Sequence, residues 1–185
     1  MAFARKITKT RAALNEAGLY EYAVKALGRA MRSEAELRRL MRLRAAPDER
    51  GEAAIETVLA RLKEHGYLDD AAFAETYARL RQENEKLGAR RVRQSLGQRG
   101  VAPGIIDETI AARYGQTNEE ALARAHLERK RISKPKNEKE PARVMRRLAA
   151  AGFSAGVIAK ILRQWKVPEE TLAGLENLED EAPEE

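Results

Sequence analysis

Bases are the residues through which this chain could do chemistry. Arg90, Arg91 and Arg93 surround Val92, an inward apolar position repeated at Leu96, so Arg90 and Arg93 project from the flanks or outside of one amphipathic helix. Arg99 and Arg113 extend that set. Further along, Arg124, Arg129, Lys130, Arg131, Lys134, Lys136, Lys139, Arg143, Arg146 and Arg147 are met only by Glu128, Glu138 and Glu140. Within this run Ser133-Lys134-Pro135-Lys136-Asn137 reads as an exposed loop between two basic helices. Guanidinium and ammonium groups at this density suit phosphate oxygens, in contacts that are salt-dependent and independent of base sequence. No aromatic residue interleaves the cluster, so stacking on bases is not expected to dominate. The competing use of the same charges is contact with an acidic protein surface.

Catalytic chemistry finds less support. His65 precedes Gly66 and reads as a helix C-terminal residue, where an imidazolium is favourable. His126 sits in the basic cluster without a carboxylate or cysteine at ligand spacing. Asp69-Asp70 could be an acid pair, but capping of the helix that follows explains it fully. Gly97-Gln98-Arg99-Gly100 lacks the Lys-Ser/Thr that completes a phosphate-binding loop. The reading is a protein that is not an enzyme, with no catalytic residue, no cofactor and no metal.

The charge is unevenly spread. The chain carries 35 Lys+Arg and 29 Asp+Glu, a formal net charge of +6. From Glu169 onward there are acids and no base; without them 35 bases face 21 acids, a net +14. A basic body with an acidic tail points to a polyanionic partner. With no cysteine, neither disulfides nor thiolate metal sites hold the fold. No signal-peptide segment opens the chain and no apolar run could cross a bilayer, so a cytoplasmic protein with no membrane partner is expected.

The elements that must position these bases are helices. Ala, Leu, Arg and Glu dominate, and runs of strand-forming residues are absent. Phe73, Tyr77 and Leu80 form one stripe, and Gly88 breaks that helix before Val92 and Leu96 begin the next. Gly100 is a helix stop, and Ala102-Pro103 starts the third helix over Ile105, Ile106 and Ile110. The same pattern returns 52 residues on: Leu96 matches Leu148, Gly100 matches Gly152, Val101 matches Phe153, Gly104 matches Gly156 and Ile110 matches Leu162. Ser154 is placed to cap the last helix. An earlier unit pairs Tyr22 with Tyr77, Leu37 with Val92 and Met41 with Leu96, with a longer connector from Arg44 to Gly51. Ser33 with Glu36, and Thr117 with Glu120, have the spacing of capping boxes. The fold expected is all-α: three tandem three-helix repeats in an elongated, curved, solenoid-like arrangement. Its divisions are a basic lead-in at 1–17, repeats at 18–66, 67–114 and 115–167, and an acidic tail at 168–185. Tyr67 and Leu68 are expected in core shared between the first two units.

Three signatures resemble the RecX family of regulators of the RecA recombinase. They are Arg32-Ser33-Glu34-Ala35-Glu36-Leu37; then Gly66-Tyr67-Leu68-Asp69-Asp70 with Phe73-Ala74; then Gly88 followed by Val92, Leu96, Gly100-Val101 and Ile106. The resemblance covers roughly Leu19 to Trp165, nearly the whole expected fold. Ala151 stands where the family often carries a base before Gly152-Phe153. The resemblance implies a monomer of tandem repeats that binds the RecA–single-stranded DNA filament. It implies inhibition of ATPase and strand exchange, and a place in DNA repair, recombination and the SOS response. The residues alone leave two other readings open, a helical nucleic-acid module without a recombinase partner and a scaffold that binds only protein.

Overall fold

The computed structural model describes residues 12–137 and 140–168. The basic lead-in to Arg11, Glu138-Lys139 and the acidic tail from Glu169 lie outside the described residues. Among those described there are nine helices and no strand. The chain divides into two compact units, residues 1–70 and 71–185.

Unit 1 holds α1 (Glu16–Leu27), α2 (Glu34–Arg42) and α3 (Glu49–Glu64). Each starts where a short polar side chain takes up a free N–H: Asn15 accepts from Gly18 at 3.0 Å, and Asp48 from Gly51 at 2.9 Å. Ser33 forms the expected box, its Oγ accepting from Glu36 N–H while the Glu36 carboxylate accepts from Ser33 N–H. The apolar stripes then meet: Leu19, Leu37, Met41, Ile55, Leu59 and Leu62 are buried together. Leu68 joins this core, but Tyr67 does not; it is 58% exposed and lies edge-on to His65. Only the more apolar of the two neighbours went inward. Of the two aspartates expected to supply a cap, Asp70 turns to another helix: its carboxylate accepts from Glu34 N–H at 2.8 Å, at the start of α2.

Unit 2 contains α4 (Asp70–Glu85, from its second residue onward), α5 (Ala89–Gln98) and α6 (Pro103–Tyr114), then α7 (Glu119–Arg129), α8 (Glu140–Ala150) and α9 (Ala155–Gln164). One core gathers Phe73, Ala74, Ala78, Val92, Leu96, Val101 and Ile106; the other gathers Leu127, Val144, Leu148, Phe153, Ile158 and Leu162. Leu87 packs against both. Leu80, expected on the buried stripe, is 42% exposed, and Ala74 and Ala78 take up the inner face of α4 instead. The stop after α4 is Lys86, at φ 54°, not Gly88, which is the N-cap of α5.

The 52-residue repeat is visible in the turns. Val101 N–H donates to Leu96 C=O and Phe153 N–H to Leu148 C=O, both at 3.2 Å, and both side chains are buried. This is the Schellman closure of a helix, with Gly100 and Gly152 at φ 77° and 89°. The caps differ from the sequence reading. Asn118 rather than Thr117 caps α7, accepting from Ala121 N–H at 3.0 Å. Ser154 makes no side-chain cap on α9; its N–H and hydroxyl donate to the Glu119 carboxylate at 2.7 and 2.8 Å. An ionised acceptor is the stronger partner.

Candidate polyanion-binding surface

Three bonds tie α4–α6 to the chain that follows it, and a fourth, from Tyr114, closes α4–α6 on itself. Tyr114 Oη donates to Leu87 C=O at 3.1 Å, and Gln82 Nε2 to Thr117 Oγ1 at 2.9 Å. His126 Nδ1 lies 3.1 Å from Glu85 C=O, which makes Nδ1 the protonated nitrogen. Gly88 N–H donates to Ala151 C=O at 2.8 Å. At this last point the backbones touch: a Cβ on Gly88 would lie 2.3 Å from Gly152 O, and one on Gly152 would lie 2.3 Å from Arg91 N. The start of α5, with Arg90 and Arg91, therefore abuts the end of α8, which carries Arg143, Arg146 and Arg147.

The connector from α7 to α8 builds a cup of about 260 Å³. Arg131, Lys136, Arg143 and Arg147 line it, with Ser133. Arg131 is held at φ 53°, and Ile132 N–H closes α7 by donating to Leu127 C=O at 2.9 Å. Among the described residues Glu140 is the acid in the lining, and its carboxylate is engaged locally, by Lys136 N–H at 2.6 Å and Asn137 Nδ2 at 3.1 Å. Arg147 also lines a neighbouring hollow with Lys130 and His126. Four bases around one hollow present a positive field to an anion the size of a phosphodiester.

The other candidates take separate positions. Arg129 and Lys134 are exposed near the cup without lining it. Lys139 lies outside the described residues. Arg91 donates to Gln94 Oε1 at 2.9 Å, and Arg93 pairs with Asp107 across to α6. Arg99 is drawn away from the cluster: its guanidinium lies 4.8 Å from the Tyr77 ring centre, with Arg81 at 4.7 Å from the same ring. Burial pushes the Tyr77 phenol up, but hydrogen bonds from Arg99, Ser95 and Arg81 outweigh it and leave the phenol lowered. The sequence reading missed Arg81, although its i,i+4 spacing from Tyr77 was a signal.

His126 is structural. It is 4% exposed and sits edge-on to Phe153, ring centres 5.8 Å apart. Burial lowers its pKa, Lys130 and Arg129 push the same way, and the bonds to the Glu85 and Lys86 backbone oppose without cancelling. His65 is the C-cap of α3, its Nδ1 2.9 Å from Tyr20 Oη. Among the described residues no group of three or more His, Cys, Asp and Glu is placed to hold a metal, and no helix is long and apolar enough to cross a membrane.

Residues 69–110, from the start of α4 to within α6, match the family model described as RecX, second three-helix domain. The regulatory protein RecX of Pseudomonas entomophila is 36% identical over 141 residues, covering 76% of this chain and 86% of its own length. The chain belongs to the RecX family. The regulatory protein RecX of Deinococcus radiodurans is likewise 36% identical, over 84% of this chain and 72% of its own. The crystal structure of RecX from Lactobacillus salivarius superposes with a TM-score of 0.64 at 18% identity, over 82% of this chain and 96% of that one. That likeness is one of fold, and it makes the helical arrangement a RecX arrangement.

Proposed function

We propose that this chain regulates homologous recombination by binding the RecA–single-stranded DNA filament as a monomer and inhibiting its ATPase and strand exchange. The family membership carries the reading, since relatives bearing the name regulatory protein RecX align over three quarters of the chain. Unit 2 supplies the grip on DNA: the cup of Arg131, Lys136, Arg143 and Arg147 takes backbone phosphates, and the start of α5 adds Arg90 and Arg91. Arg93 is secondary because the Asp107 carboxylate offsets its charge, and Arg99 because its guanidinium lies over the Tyr77 ring. The units 18–66, 67–114 and 115–167 act as successive three-helix modules.

The test is RecA ATPase and strand exchange with substoichiometric protein. Inhibition is expected, and no effect at any ratio would sink the proposal. The basic cup equally favours a second reading, a sequence-independent nucleic-acid module; binding to bare single-stranded DNA as tight as to the filament would select it. Reversing Arg131, Arg143 and Arg147 to Glu should weaken binding to single strands. It should also shallow the slope of log affinity against log salt by about 0.7 for each phosphate no longer neutralised. An unchanged slope removes the cup from the site.

A further inference from the structure

Unit 1 carries a second basic hollow, which the reading of unit 2 does not use. It lies between α1 and α2, encloses about 590 Å³, and is lined by Lys25, Arg29, Arg32 and Arg44 over an apolar floor. No acid lines it. Lys25 has an ion pair with Glu21 at 3.5 Å, but both side chains are over 70% exposed, so the pair neutralises little. Arg44 is placed by the Tyr22 ring, 5.2 Å from its guanidinium. Among the described residues neither Arg29 nor Arg32 has an ion-pair partner, and the Nε atoms of Arg32 and Arg44 are buried without an acceptor.

The floor distinguishes this hollow from the cup in unit 2. Leu43, at its edge, is 79% exposed, the most exposed large apolar side chain described, and Leu40 and Tyr22 continue the apolar surface. A leucine held in water gains only from an apolar partner, which a phosphodiester backbone does not offer. Arginines over leucine and tyrosine instead suit a surface that brings carboxylates and aliphatic groups together. An amphipathic helix does so, with leucines at three- and four-residue spacing facing the floor and acids on its flanks facing the rim.

We propose that this groove is a docking surface for an acidic, leucine-bearing helical segment of a protein partner. It stands independently of the filament reading, because its probe is a peptide. A labelled amphipathic peptide of glutamates and leucines is titrated with the full chain and followed by anisotropy. Saturable binding is expected. Leu43→Asp and the double variant Arg29→Glu/Arg32→Glu should each weaken it about tenfold or more, as truncation of a central anchor does. Leu43 is exposed, so Leu43→Asp leaves the fold intact, which circular dichroism checks. Affinity of Leu43→Asp for an oligo-dT strand should stay within about threefold, as its grip lies in unit 2. Absence of saturable peptide binding, or Leu43→Asp binding as tightly as the parent, overturns the proposal. Equal binding of a lysine–leucine peptide would reduce the groove to general apolar adhesion and overturn it too. Loss of oligo-dT binding in Leu43→Asp would reassign the groove to nucleic acid.

Discussion

Phe73 and Tyr67 lie six residues apart in one signature and behave oppositely. Phe73 is 4% exposed and stacks on Tyr77 at 5.9 Å between ring centres, so Phe73→Ala should cost about 3–5 kcal/mol. Tyr67→Ala should stay within about 0.5 kcal/mol, as surface changes do. Urea midpoints separate the two, and a Tyr67 variant as damaged as the Phe73 variant would contradict the exposure. At His126 the sign of the pH effect follows from burial. Its folded pKa lies below the unfolded value, so the unfolded chain binds the proton more readily. The stability due to neutral His126 is complete above the usual histidine pKa of about 6.5 and falls as pH drops through it, until the folded form also protonates. Between pH 7 and 5 the parent should therefore lose more stability than His126→Gln. Parallel curves would remove His126 from the account.

Among the helices, type was legible in the sequence and termination only in part. The i,i+4 stripes located α4 to α6 because burial of an apolar face dictates helix period. The Ser33–Glu36 box was legible because both partners are local. Ser154 was not, because its partner Glu119 lies 35 residues away and outcompetes the local N–H groups. Stops were read from glycines, yet Lys86, Arg131 and Lys166 also take left-handed angles, at φ 54°, 53° and 59°. A long side chain there is strained by about 1–2 kcal/mol, offset by the attraction of a base to the helix C-terminus. Lys86→Gly should therefore stabilise by about 0.5–1 kcal/mol after the added freedom of the unfolded chain is counted. A lower melting temperature would show that the Lys86 side chain does more than end a helix.

At the scale of the molecule, charge counting leads to the expectation of a polyanion partner but does not say which bases converge. Arg131, Lys136, Arg143 and Arg147 meet because the connector from α7 turns back beside α8, whereas Arg99, equally basic in sequence, is taken by Tyr77. The groove of unit 1 was not legible because its bases are interspersed with apolar residues and form no run. Net charge still governs encounter. Truncation after Pro168 takes the formal charge from +6 to +14 and should tighten single-strand binding at low salt, with the gap closing by about 1 M, where screening acts over roughly 3 Å. Equal affinities at low ionic strength would show that these acids do not influence the approach.

The touching backbones at Gly88 and Gly152 have one more outcome. Because main chain meets main chain there, the interval between the arginines opening α5 and those along α8 is fixed by peptide geometry and not by flexible side chains. A strand engaged by one set meets the other at high effective concentration, with little further ordering cost. On the DNA-binding reading proposed above the two sets act as one bidentate receptor, and reversals in both should fall short of the sum of their separate effects.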